Sequence, residues 1–187
     1  MTQDLNFTEK NINQLIINSD SQFEDCTFSG INFSEYQLVS SLFFNCAFKN
    51  CNLSNQNMTN ATFRNVKFES CNLIGINWCT LKRFEGCEFN TCKLNYSVFQ
   101  GLKLKNIKIT NSQAIEVDFS EADLTNSLLT NTALAGTNFS RSTLINADFR
   151  SAKDFLFDLH TTKIKGLHLS MPEALNLLTA LGAKIEF

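Results

Sequence analysis

Large apolar residues recur along this chain every fifth position. Counting from Phe23, the series runs Phe28, Phe33, Leu38, Phe43, Phe48, Leu53, Met58, Phe63, Phe68, Leu73 and Trp78 without a miss. One extra residue falls within Cys79 to Arg83. The count then resumes at Phe84 and continues through Phe89, Leu94, Phe99, Leu104, Ile109, Ala114, Phe119, Leu124, Leu129, Leu134, Phe139, Leu144 and Phe149. Only Ala114 is small. Two residues before a centre the chain is mostly compact, as at Cys26, Cys51, Ala61, Val66, Ser97 and Ala122. Two residues after it stand turn formers such as Asn45, Asn50, Asn55, Asn60, Asn65 and Gly75, which tolerate unusual dihedrals and bond their own backbone. A period of five matches neither the 3.6 of a helix nor the 2 of a strand. It fits a chain that turns a corner every five residues, with one large and one small side chain facing inward. The pattern predicts a solenoid.

The stretches Ala122-Asp123-Leu124, Ala147-Asp148-Phe149 and Cys71-Asn72-Leu73 resemble the motif of the pentapeptide-repeat proteins: a small residue, Asp or Asn, Leu or Phe, then two polar residues. The resemblance covers residues 7 to 169. It implies an all-β solenoid, a right-handed quadrilateral β-helix with twenty residues per coil and about seven to eight coils. Residues twenty apart then share a wall, with one step of twenty-one at the insertion. One wall reads Phe23, Phe43, Phe63, Phe84, Leu104, Leu124, Leu144; the next reads Phe28, Phe48, Phe68, Phe89, Ile109, Leu129, Phe149. A third carries Phe33, Leu53, Leu73, Leu94, Ala114, Leu134 and, in conflict with the rest, Asp154, where an irregularity is expected. The fourth carries Leu38, Met58, Trp78, Phe99, Phe119, Phe139 and Leu159. At ~4.8 Å between strands, the coils make a rod on the order of 35 Å long.

The repeat region is expected to occupy residues 1–169, with an irregular start, and a separate module residues 170–187. Ser170-Met171-Pro172-Glu173 has the form of a helix-capping box. Ala174, Leu175, Leu177, Leu178 and Leu181 make an apolar stripe, Gly182 is a natural terminator, and Ala183 to Phe187 is expected to form a last strand. Such a module shields the final coil, and an apolar helix with a strand can also pair about a two-fold axis. The ending Pro172-Glu173-Ala174-Leu175 … Leu178 … Leu181-Gly182 … Ile185 resembles that of the quinolone-resistance (Qnr) group and the microcin B17 immunity group. That resemblance implies a homodimer, with Leu175, Leu178, Leu181, Ile185 and Phe187 as the dimerisation residues. It further implies a protein partner, DNA gyrase or topoisomerase IV, and protection against topoisomerase poisons. The alternative is a general interaction scaffold with another partner.

Charge and chemistry sharpen this picture. The chain of 187 residues has a formal charge of −2, which disfavours direct nucleic-acid binding. The balance is banded, since residues 40–110 carry nine of the Lys and Arg against three acids. Arg64, Glu85 and Lys105 are expected in one outer column of ion pairs, Lys67, Glu88 and Lys108 in another. Seven cysteines read as reduced thiols of a cytoplasmic protein. Six fall at the small inward position; Cys79, beside the insertion, is the one expected at the surface. With no Cys-x-x-Cys and both histidines, His160 and His168, far from the cysteines in the repeat, no metal or other cofactor is expected. No nucleophile–base pair, carboxylate pair or phosphate loop is patterned, so no catalysis, small-molecule substrate or membrane span is expected.

Overall fold

The computed structural model describes residues 1–12, 19–180 and 182–185. The chain winds into an all-parallel solenoid with four walls. One wall is a five-stranded parallel sheet, spatially ordered Thr2–Gln3, Gln22–Glu24, Leu42–Phe44, Thr62–Arg64 and Arg83–Glu85. The next is a six-stranded parallel sheet from Asn6–Thr8 through Thr27–Ser29, Ala47–Lys49, Lys67–Glu69 and Glu88–Asn90 to Lys108–Thr110. These strands proper account for about five turns, and isolated parallel bridges carry the winding on as far as Asp148 and His168. The other two walls are columns of such bridges, Asn32 through Asn52, Asn72, Lys93, Gln113 and Ala133 to Lys153, and Asn77 through Val98 and Asp118 to Asn138.

The register follows the five-residue period. Phe23 lies opposite Phe43 and Phe43 opposite Phe63, while Phe28, Phe48, Phe68, Phe89 and Ile109 form a continuous row. Rings one coil apart stack nearly parallel: Phe28 on Phe48 at 4.8 Å and 16°, Phe68 on Phe89 at 5.1 Å and 7°, Trp78 on Phe99 at 5.4 Å and 11°. Rings on adjoining walls meet edge to face, as Phe28 does with Phe43 at 76°. Both are the favourable arrangements for aromatic quadrupoles.

The corners explain the turn formers. Residues two after the centres hold left-handed backbone, for example Asn45, Asn50, Asn55, Asn60 and Asn65 at φ 52 to 59°. Asn tolerates that region and glycine occupies it freely. Some corner amides also ladder between coils, as Asn65 Nδ2 donates to Asn45 Oδ1 at 3.1 Å and Asn131 Nδ2 to Asn111 Oδ1 at 2.7 Å. The small inward residues have a polar duty as well. Cys71 Sγ donates to the carbonyl of Phe48 at 3.3 Å, and Ser97 Oγ to that of Leu73 at 3.0 Å.

Three places depart from the period. The N-terminal coil runs one residue long, pairing Thr2 with Phe23 and Phe7 with Phe28. The insertion at Cys79 to Arg83 is absorbed by a 3-10 turn, Trp78–Thr80, started by Asn77 Oδ1 accepting the Cys79 N–H at 3.0 Å. Phe84, just beyond it, is half-buried, where the pattern placed it fully inside. At the expected conflict, Asp154 itself takes the left-handed corner (φ 59°) and points outward, and Phe155 and Phe157 turn in to fill the space.

Candidate protein-docking surfaces

The C-terminal module begins with a reassignment. The hydroxyl of Ser170 accepts the N–H of Ser151 in the last coils at 2.8 Å, so it ties the module to the rod rather than capping the helix. The helix spans Glu173–Ala180. Leu177, 7% exposed, is its anchor in the core. Leu177 was visible in the apolar stripe, yet nothing in the spacing separated it from its neighbour Leu178. Of the residues expected to mediate dimerisation, Leu178 is 46% exposed while Leu175 and Ile185 are half-buried. Leu175 and Ile185 come together in a groove of about 570 Å³ between helix and tail, bordered by Pro172, Thr179 and Lys184; Leu178 lies outside it. Leu181 and Phe187 lie outside the described residues. Ala183 to Ile185, the described part of the expected terminal strand, does not form one.

Beside the helix, the irregular segment after Asp154 leaves a second groove of about 350 Å³, lined by Phe139, Leu156, Phe157, Leu159 and Leu177. Leu156 and Met171 project from this end at 57% and 64% exposure. The end of the rod is therefore more apolar than its flanks. His160 sits at the rim, exposed, its backbone N–H held by Asp158 Oδ1 at 2.8 Å.

The flanks carry ion pairs between coils. Lys49 reaches Glu69 at 3.3 Å, Lys108 reaches Glu88 at 2.8 Å and Arg141 reaches Glu121 at 2.6 Å. These pairs are about half exposed and individually weak. The expected column of Arg64, Glu85 and Lys105 forms only in part: Arg64 meets Glu85 at 3.6 Å, but Lys105 turns to Asp123 at 3.4 Å. Asp148 has the tightest arrangement. Its carboxylate accepts from Arg150 Nη2 at 2.7 Å and Nε at 3.0 Å, and that guanidinium holds its pKa below the ordinary carboxylate value.

The cysteines are structural fillers. All seven are free and only Cys79 is exposed. Burial pushes the thiols of Cys46 and Cys87 up to about 12. Even at Cys79, partial burial of the sulfur and then the nearby Asp118 carboxylate raise the pKa, while Sγ donates to the Gln100 carbonyl at 3.3 Å. That thiol is accessible but not activated. Among the described residues no three His, Cys, Asp or Glu side chains gather in a way that could hold a metal ion. No helix among them is long and apolar enough to cross a membrane. What the surface offers is shape, apolar grooves and banded charge.

Residues 16–83 and 82–153 match the model of the pentapeptide repeat region. The chain belongs to the pentapeptide-repeat family. No curated protein matches it by sequence. Among solved structures it is similar to full-length QnrB1, a plasmid-mediated fluoroquinolone resistance protein, at 16% identity and a TM-score of 0.57, over 97% of this chain and 99% of that one. A trypsin-treated QnrB1 variant matches at 18% identity and a TM-score of 0.58, over 99% of both chains. HetL, a pentapeptide-repeat protein involved in heterocyst differentiation in the cyanobacterium Nostoc, aligns at 10% identity over 85% of this chain and 92% of its own, with a TM-score of 0.41. At these identities the likeness establishes the fold: a repeat-protein scaffold.

Proposed function

We propose that the protein is a non-catalytic, dimeric rod that binds DNA gyrase or topoisomerase IV and protects it from topoisomerase poisons of the quinolone or microcin type. The observation that supports this reading is the end-to-end likeness to QnrB1, which spans nearly the whole of both chains. In the same reading the apolar C-terminal end, with Leu175 and Ile185 in its groove and Leu178 projecting, is where two rods meet tail to tail. Burying such a patch against its own copy needs no second kind of surface, as a two-fold axis requires. The test is a gyrase supercoiling and cleavage assay with and without ciprofloxacin. Rescue of supercoiling under the drug, or inhibition without it, is the expected result; neither, across micromolar protein, refutes the topoisomerase assignment.

A second reading, a scaffold for a different protein partner, draws on one feature. Residues 40–110 carry nine Lys and Arg against three acids, so the middle of the rod would be repelled by the basic groove of a DNA-binding enzyme. Light scattering separates the elements of the proposal. A particle twice the chain mass of 21.1 kDa supports the dimer, and a monomer removes it from both readings.

A further inference from the structure

The wall that begins at Thr2 is not continuous. Its sheet ends at Arg83–Glu85, and on the far side the bridges start again only with Lys103 opposite Asp123. At every neighbouring rung the centre residue donates its N–H to the coil above, as Leu104 does to Asp123 at 2.8 Å, and the corner residue does likewise, as Asn106 does to Thr125 at 3.0 Å. Among the described residues no such bond joins Phe84 or Gly86 to residues 103–105, and none joins the Lys103 N–H to Lys82. The other three walls remain bonded through this level, by Glu88–Asn90 with Lys108–Thr110, Lys93 with Gln113 and Val98 with Asp118. At this level the solenoid is split on one side only; the wall of Leu38, Met58 and Trp78 also lacks centre bridges between those coils, but its corners stay bonded, Ser40 N–H to the Thr59 carbonyl and Asn60 N–H to that of Thr80.

The insertion explains the split. The coil that contains it has one residue too many, and Arg83–Glu85 keeps its register on the coil below, Phe63 opposite Phe84. It thereby parts from the coil above. Phe84 is left half-buried, and a cavity of about 370 Å³ opens between the lips at Glu85–Cys87 and Lys103–Asn106. The lost column of charge has the same cause: Glu85 and Lys105 stand on opposite lips, so Glu85 is held by Arg83 at 2.9 Å and Arg64, and Lys105 looks away to Asp123. Lys82 and Lys103, both exposed, have no ion-pair partner among the described residues.

We propose that this split is the docking site for an extended acidic segment of a partner protein. An exposed strand edge with free donors and acceptors is a template for adding a strand. Here both lips offer backbone N–H and C=O groups, which suits a polypeptide better than a simple anion, since an anion has no use for the carbonyls. The cavity is lined by Lys103 and Lys105 and by Glu85 and Glu88; Glu85, Glu88 and Lys105 are already held in ion pairs, which leaves Lys103, with Lys82 just before the lip, as the positive charge free to meet an acidic side chain. The half-buried Phe84 gives an apolar side chain of the segment a place to rest. This goes beyond the topoisomerase reading and does not depend on it.

The test uses the full chain and two labelled probes, an alternating Val-Glu octapeptide and an alternating Pro-Glu octapeptide. They carry equal charge, but the second lacks half of its amide donors and cannot lie as a strand. Fluorescence anisotropy should show the Val-Glu probe binding at least tenfold more tightly, and Lys82→Glu with Lys103→Glu should weaken it at least tenfold. Hydrogen exchange at the amides of Phe84, Gly86 and Lys103 should be fast in the free protein and slow with the probe. Deletion of Thr80, which returns the coil to twenty residues, should slow those amides without any peptide and abolish binding. If that deletion fails to fold, the surface double variant, with an unchanged circular dichroism spectrum, still decides. Equal binding of both probes, or competition by inorganic phosphate at the same affinity as by peptide, would overturn the strand site. So would no binding at millimolar probe.

Discussion

Replacing Phe68 by leucine and by alanine isolates what the ring columns contribute. Its ring stacks on Phe48 at 5.2 Å and 16° and on Phe89 at 5.1 Å and 7°, and meets Trp78 edge-on at 5.8 Å. Leucine keeps the apolar character but removes both stacked pairs, each worth about 0.5–1.5 kcal/mol beyond area burial, so the expected loss is about 1–3 kcal/mol. Alanine adds a cavity, and a buried Phe→Ala change costs about 3–5 kcal/mol. The single tryptophan, Trp78, is buried against the substituted site, so its fluorescence follows unfolding directly in a urea titration. With a denaturant slope of about 2 kcal/mol per molar urea, alanine should lower the midpoint by about 1.5–2.5 M and leucine by about 0.5–1.5 M. An unchanged midpoint for Phe68→Leu, or a drop below about 0.5 M for Phe68→Ala, would refute the idea that stacked rings carry the N-terminal half of the rod.

Further outcomes are expected elsewhere. Gly75→Ala drives a Cβ into Asn55 Oδ1 at φ 72°, so it should cost more in urea than Gly30→Ala, whose Cβ meets nothing within 4 Å and which carries only the left-handed penalty of about 1–2 kcal/mol. Lys105→Ala should change the stability by no more than about 0.5 kcal/mol, because its partner Asp123 lies across an exposed pair. The folded-state pKa of Asp148 is depressed, so its contribution is present above the unfolded value of about 3.9 and is lost as pH falls through the folded value. In a carboxyl NMR titration Arg150→Ala should therefore raise the Asp148 midpoint, and an unmoved midpoint would contradict the bidentate pair. A thiol reagent should label Cys79 alone in the native protein, slowly at neutral pH, and all seven cysteines after denaturation.

Most of the fold was legible because a single local rule, one large residue inward per corner, repeats with little competition. The walls containing Phe28 and Leu38 follow directly from counting, and even the failure at Asp154 announced itself as a charge where an apolar residue belonged. What counting missed depends on neighbours in space. The insertion near Cys79 was visible, but whether Arg83–Glu85 would bond to both neighbouring coils or only to the one below depends on the backbone path after the insertion, and spacing does not settle it. The displaced Phe84 and the diverted Lys105 are consequences of that one choice. The C-terminal module was harder for the same reason. Ser170 has the right type for a helix cap, yet the N–H of Ser151, nineteen residues earlier in the chain, takes its hydroxyl. The helix stripe contained both Leu177 and Leu178, and only the shape of the last coil selects which of them turns in.

The backbone bonds between coils lie along the length of the molecule, donors facing both the coil before and the coil after. A load applied lengthwise therefore opens them one storey at a time, each storey giving up only a handful of bonds before the next is reached. Pulled by its ends, the protein should lengthen in many small yields rather than one abrupt rupture, and the first yield should fall beside Phe84, where one side of the column is already unfastened.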